Sequence, residues 1–233
     1  MTLLGTLFQL HAAAVVFGGT LAALVVSYPR ATLFRAAAAL QGVFRAPKTS
    51  ADTLVSKFTD FAIRVRKRGV MALENEIPKA GDPFLSRTLS LLVDGTGADD
   101  LRRALRSASH AIEDADDEVA EVFEAAGGYA PTLGILGAVL GLIQVMQHLT
   151  EPSKLGGGIA VAFVATVYGV GSANLIFLPL SMRLRAAARE RAVRRDAIIE
   201  GAVALQQGTH PRLIEAQLDG FIRGARQQAK KAA

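Results

Sequence analysis

The chain has 233 residues, 51% of them hydrophobic and 20% charged, with 26 Lys and Arg against 21 Asp and Glu for a net charge of +5. A mean hydropathy of +0.31 beside that much charge requires the two to be segregated along the chain. The absence of cysteine excludes a disulfide framework and a thiolate metal site, and basic groups mixed with acids, with no aromatic-basic motif among them, argue against a nucleic-acid footprint.

Residues 1–28 carry no charged side chain. They lack a basic n-region, and the apolar run from Leu10 to Tyr28 leads into PRATLFR rather than a cleavage site, so the segment reads as a retained span and not a signal peptide. The stretch 29–128 reads as a helical cytoplasmic loop. Within it TSADTLVSKFTDFAIRVRKRG (49–69) places Leu54, Val55, Phe58, Phe61, Ala62 and Val65 near the helical template, with Gly69 as a stop. DPFLSRTLSLLVDG (82–95) opens on Asp-Pro and closes on Gly, a helix with both ends marked. From Asp99 to Phe123 an acidic, alanine-rich helix follows, broken from the next segment only by Gly127 and Gly128. YAPTLGILGAVLGLIQVMQHL (129–149) and GGGIAVAFVATVYGVGSANLIFLP (156–179) are uncharged spans joined by a short turn at 150–155. The tail, 180–233, continues helically to about Gly208, and HPRLIEAQLDGFI suggests a short final helix. No strand pattern or internal repeat stands out.

Three apolar blocks of about 20 residues each match the length that crosses ~30 Å of hydrocarbon. The expected fold is therefore an all-α integral membrane protein with three visible transmembrane helices and long helices extending below the bilayer. Fourteen of the Lys and Arg residues lie in 29–128, eleven follow Pro179, and only Lys154 lies between the last two spans. By the positive-inside rule the loop and tail are cytoplasmic, with the 150–155 turn and the N-terminus outside.

Enzyme signatures such as a Walker loop, nucleophile elbow, HExxH or CxxC are absent. His11, His110, His148 and His210 are scattered without ligand spacing and read as interfacial or solvated side chains. Gly134, Gly137 and Gly141 form one small-residue helix face suited to close packing, and Gly169, Gly171 and Ala173 offer a second. Thr20, Thr132, Gln144, Thr166, Tyr168, Ser172 and Asn174 are the polar groups within the spans; hydroxyls there bond readily to backbone carbonyls. No span holds an Asp, Glu, Lys or Arg, although an ion pathway normally needs a titratable or anionic group at membrane depth. Either the chain conducts nothing or a partner helix supplies the carboxylate.

GYAPTLGILGAVLGLIQVM followed by GGGIAVAFVATVYGVGSANLIFLPL resembles the last two spans of MotA-family stator subunits of the bacterial flagellar motor, relatives of ExbB and TolQ. FGGTLAAL (17–24) resembles the family's second span, RKRGVMALENEI with DPFLSRTLSLLVDG its cytoplasmic loop, and AIIEGAVALQQGTHPRLIEAQL (197–218) its tail. Nearly the whole chain is covered, in the family's order. The family has four spans, and the first has no counterpart here; either translation starts upstream of Met1, which fits an outside N-terminus, or this copy has three.

The resemblance implies a multi-pass protein of the bacterial inner membrane, a homo-oligomeric ring (a pentamer in the family) around a MotB-like dimer whose transmembrane Asp carries the ion. It implies a cytoplasmic loop that pushes a FliG-like rotor protein, and no enzymatic activity or cofactor. The residues it assigns to ion pathway and coupling are Pro131, Thr132, Ala138, Thr166 and Pro179. The prolines match two that the family uses functionally, Pro131 in the first turn of its span and Pro179 near the inner end of the last; marking of helix boundaries explains their positions nearly as well. Sodium-driven relatives place Thr where this chain has Ala138, which offers no oxygen, so H+ rather than Na+ is expected. Rotor contact falls to Arg87, then Asp94, Asp99, Asp100, Arg102 and Arg103, each of which also suits a plain solvated face. The alternatives are an ExbB/TolQ-like energiser or another motor built on the same ring, and a non-conducting membrane scaffold.

Overall fold

A computed structural model describes residues 9–43, 51–147, 150 and 152–231. The first eight positions of the predicted 1–28 span, His148 and part of the 150–155 turn lie outside the described residues. These are all-helical and fall into two compact units: one from Met1–Arg45 with Asp116–Ala186, the other from Ala46–Ala115 with Ala187–Ala233.

In the first unit α1, Leu10–Ser27, is predominantly apolar and contains a π-helical turn at Ala14–Gly18. Tyr28 is extended before Pro29, as the residue preceding a proline prefers, and this ends the helix. Helix α2, Arg30–Val43, begins directly afterwards. The predicted loop thus opens with a helix of its own, which packs Ala36 against Val119, Ala120, Val122, Phe123 and Leu184.

Helix α5, Ala98–Gln147, is 50 residues long and contributes to both units. Two expectations are corrected by it. Gly127 and Gly128 do not break the helix, and Pro131 lies inside it rather than in the first turn of a separate span. Proline removes one donor, which leaves the Gly127 carbonyl without its usual partner, but packed neighbouring helices allow such a residue within a membrane helix. Helix α6 comprises Pro152–Ser172, a π-helical turn at Ala173–Phe177, and Leu178–Gln206. It begins at Pro152, four residues before the predicted span, with proline at the position where its missing donor matters least.

Three of these helices, in Leu10–Ser27, Ala98–Gln147 and Leu155–Gln206, contain segments long and apolar enough to cross a membrane.

The second unit is built around large side chains. Helix α3, Ala51–Arg68, stops at Gly69 (φ 75°) and leads into a 3₁₀ segment, Val70–Glu76. Helix α4, Pro83–Val93, is capped by Asp82, whose carboxylate accepts from the backbone N–H groups of Phe84 and Leu85 at 2.8 and 3.3 Å. It ends as expected at glycine: Gly95 has φ 75°, and the Thr96 N–H donates back to the Leu91 carbonyl at 3.2 Å. Helix α7, Pro211–Lys231, is longer than the short final helix expected. The core gathers Leu54, Phe58, Leu73, Leu85, Leu89, Leu92, Leu101, Leu105, Ile198, Ile214 and Leu218.

Candidate functional site

The closest helix contact in the first unit lies between α5 and α6. A Cβ placed on Gly169 would stand 2.5 Å from the Ala130 carbonyl oxygen, 3.0 Å from the Gly134 Cα and 3.2 Å from the Pro131 Cα. One on Gly134 would stand 2.9 Å from the Ala165 carbonyl oxygen, and one on Gly141 2.9 Å from the Ala162 backbone nitrogen. Gly137 meets the Ala165 methyl instead. These are contacts with backbone or with a methyl group, neither of which can rotate away. Gly134, Gly137, Gly141 and Gly169 therefore form one seam, as close packing of membrane helices by small residues requires. Gly171 stands apart: a Cβ there would meet nothing within 4 Å.

The seam passes the two prolines. Pro131 lies beside Gly169, and the helix turn below it, at Gly127, faces the side chain of Leu178, the residue before Pro179. Pro179 stands two residues past the π-helical turn, so the carbonyl its ring would crowd, that of Leu175 four residues back, lies inside the wider turn. The structure thus puts the two proline neighbourhoods side by side. Thr132 and Thr166 spend their hydroxyls on their own helices, donating to the carbonyls of Tyr129 (2.7 Å) and Ala162 (3.3 Å). Ser172 and Asn174 do likewise, to Gly169 and Val170. Ala138 is partly exposed on α5, and Ile135, Leu136, Val139, Leu140, Ile143 and Phe163 are exposed around the same spans.

The candidates for rotor contact all fall in the second unit. Arg87 is exposed on α4, Asp94 caps its C-terminal end, and Asp99 and Asp100 stand exposed in the first turn of α5, where negative charge suits the helix dipole. Arg102 is half-buried and reaches Glu200 at 2.8 Å, and Arg103 pairs with Asp100. Both arginines are thus engaged within the unit, whereas Arg87 makes no ion pair among the described residues.

One polar group of this unit gave no sequence signal. Arg195 is 6% exposed; its Nε donates to the Ser109 hydroxyl at 3.1 Å, and its Nη2 lies 3.5 Å from Glu113. Ser109 in turn donates to Glu113 at 2.7 Å. Beside this network lies Asp196, whose carboxyl is held above the usual Asp range by burial first and by the neighbouring Glu113 and Glu200, against the pull of Arg106 and Arg195. In sequence these residues sit in charge-rich helix that reads as a solvated face. Among the described residues no group of His, Asp or Glu side chains has the arrangement of a metal site.

The profile of the MotA/TolQ/ExbB proton channel family matches residues 76–197. Motility protein A of Bacillus subtilis is 33% identical over 205 residues, covering 88% of this chain and 76% of its own length. The solved flagellar MotAB stator complex from Bacillus subtilis superposes with a TM-score of 0.84 at 32% identity, over 91% of this chain and 84% of that one. A MotAB structure from C. jejuni gives 0.86 at 27% identity, over 92% and 84%. With a family match that covers 76–197, more than half of the chain and including the whole seam, the chain belongs to the MotA/TolQ/ExbB proton channel family.

Proposed function

We propose that the chain is the ion-conducting, torque-generating stator subunit of a bacterial flagellar motor in the inner membrane, and that it conducts only in complex with a MotB-like partner. The observation that carries this reading is a mismatch: a member of a proton channel family whose apolar segments hold no Asp, Glu, Lys or Arg. A proton path lacking a titratable acid is incomplete, so the carboxylate comes from the partner's helix, set among several copies of this chain. The resemblance to MotAB complexes supports the same partner. Co-expression with the partner is expected to give a proton leak across the membrane that disappears when the partner's transmembrane Asp is changed to Asn. Leak from this chain alone, or leak that survives the change, would overturn the shared site.

The coupled ion in this reading is H+, supported by Ala138, whose methyl group provides no ligand for Na+. Motility driven by this stator should continue without Na+ and stop with a protonophore. The rotor contact begins at Arg87, the exposed and unengaged cation on α4. Arg87→Glu should lower swimming torque while leaving membrane insertion intact, and unaltered swimming would remove Arg87 from the contact. Pro131 and Pro179, adjacent through Gly127 and Leu178, are the places where ring motion would pass between spans and loop.

A further inference from the structure

Asp196 differs from the acids around it. Glu200 receives Arg102 at 2.8 Å and Arg106 at 3.4 Å, and Glu113 receives the Ser109 hydroxyl and the Arg195 guanidinium. Asp196 has neither an ion pair nor a hydrogen bond among the described residues. It is half-buried and lines a cleft of about 290 Å³ together with Arg106, Ser109, His110, Glu113, Glu200 and Phe221. Three helices supply the walls. From α5 come Arg106, His110 and Glu113, with His110 Nδ1 3.7 Å from Glu113; from α6 come Asp196 and Glu200, with Arg195 buried behind; from α7 comes Phe221, which brings no charge.

We propose that this cleft is a proton sensor: α5 and α6 are held together by the Arg102–Glu200, Arg106–Glu200 and Arg195–Glu113 contacts, unpaired Asp196 while ionised keeps the apolar Phe221 wall of α7 off them, and neutralising Asp196 on acidification lets α7 close over the cleft. A carboxyl raised in the folded state is one whose ionised form opposes the packing around it. Its penalty is present above the raised value and is relieved as pH falls through it towards the ordinary Asp range, so closure belongs to the acid side. The network of Arg195, Ser109 and Glu113 gives the closing walls a fixed floor, because its arginine is buried and cannot follow solvent. That the protons sensed are cytoplasmic rests on the placement proposed above; the closure itself does not.

The chain has no cysteine, so paired spin labels attach only where placed. Labels at Ser107→Cys on α5 and Gln217→Cys on α7, in the full chain held in nanodiscs, report the spacing of the cleft walls as pH is lowered from about 7.5 to about 4, into the ordinary carboxylate range. A shift to shorter distance is expected on acidification. Asp196→Asn should show the short distance at both pH values, and Asp196→Glu should keep the response. The thermal midpoint of Asp196→Asn should exceed that of the parent at neutral pH, with the difference vanishing in acid. An unchanged distance in the parent, or a response in Asp196→Asn equal to the parent's, would overturn the proposal. Because none of these readouts involves motility or ion flow, they can fail while the stator reading stands, and the reverse.

Discussion

The two units solve the packing problem in opposite ways. The second unit fills its centre with Phe58, Leu85, Leu89, Leu92, Leu105 and Ile198, all essentially inaccessible. The span-bearing unit buries Ala12, Ala130, Ala165 and Ala173 and brings backbones together at Gly134, Gly141 and Gly169. The difference follows from the solvent each meets. In water, burial of apolar area is itself the driving force, at about 25 cal/mol per Å², and large side chains supply the most area. In lipid that force is absent between helices, and close van der Waals approach replaces it.

This contrast can be broken by exchanging the rules. The largest effect is expected for Leu89→Ala, which leaves a void in the Phe/Leu core and should destabilise the second unit by about 3 kcal/mol, read from urea unfolding followed by circular dichroism. Next comes Gly169→Ala, where a single methyl meets the Ala130 carbonyl. It should cost about 2 kcal/mol and lower the thermal midpoint of the detergent-solubilised chain. If Gly169→Ala were tolerated without loss, close approach would not be what the spans depend on. Asp82→Ala removes the cap of α4, and with it the partner that Arg194 approaches at 3.3 Å, for about 1 kcal/mol in the same urea experiment. Smallest is Gly171→Ala, expected to change the midpoint by no more than about 0.5 kcal/mol equivalent, since open space surrounds it. A large loss there would sharpen the comparison differently, by showing that a surface open in the single chain is closed by another.

The sequence was most legible where one physical signal dominated. Uncharged runs marked the spans, and Asp82-Pro83 with Gly95 marked α4 nearly to the residue, because a cap and a left-handed stop act locally. Legibility failed where tertiary contacts overrode local preference. Gly127, Gly128 and Pro131 are three helix breakers in five positions, yet α5 runs through them, supported by α6 along the seam. The glycine faces announced close packing in the sequence, but the separate fates of Gly169 and Gly171 needed the neighbouring helix. Arg195 and Asp196 were hidden for a related reason: in a run such as RERAVRRDAIIEG nothing distinguishes the arginine that turns inward from those that remain in water.

The π-helical turn in α6 sets the angular register of everything beyond it. The buried residues Ala162 and Ala165 are matched by Ser181 and Leu184, each pair nineteen positions apart. Five turns of an ideal α-helix take about 18 residues, so in an uninterrupted helix the later pair would point about 100° away from the earlier one. The wider turn at Ala173–Phe177 absorbs the extra residue, and both pairs come to share one side of the rod. Deleting a single residue there would remove the wide turn and leave Ser181 and Leu184 in their contacts, now eighteen positions on, whereas straightening the turn with all its residues kept would swing them away, a crankshaft with one throw misaligned.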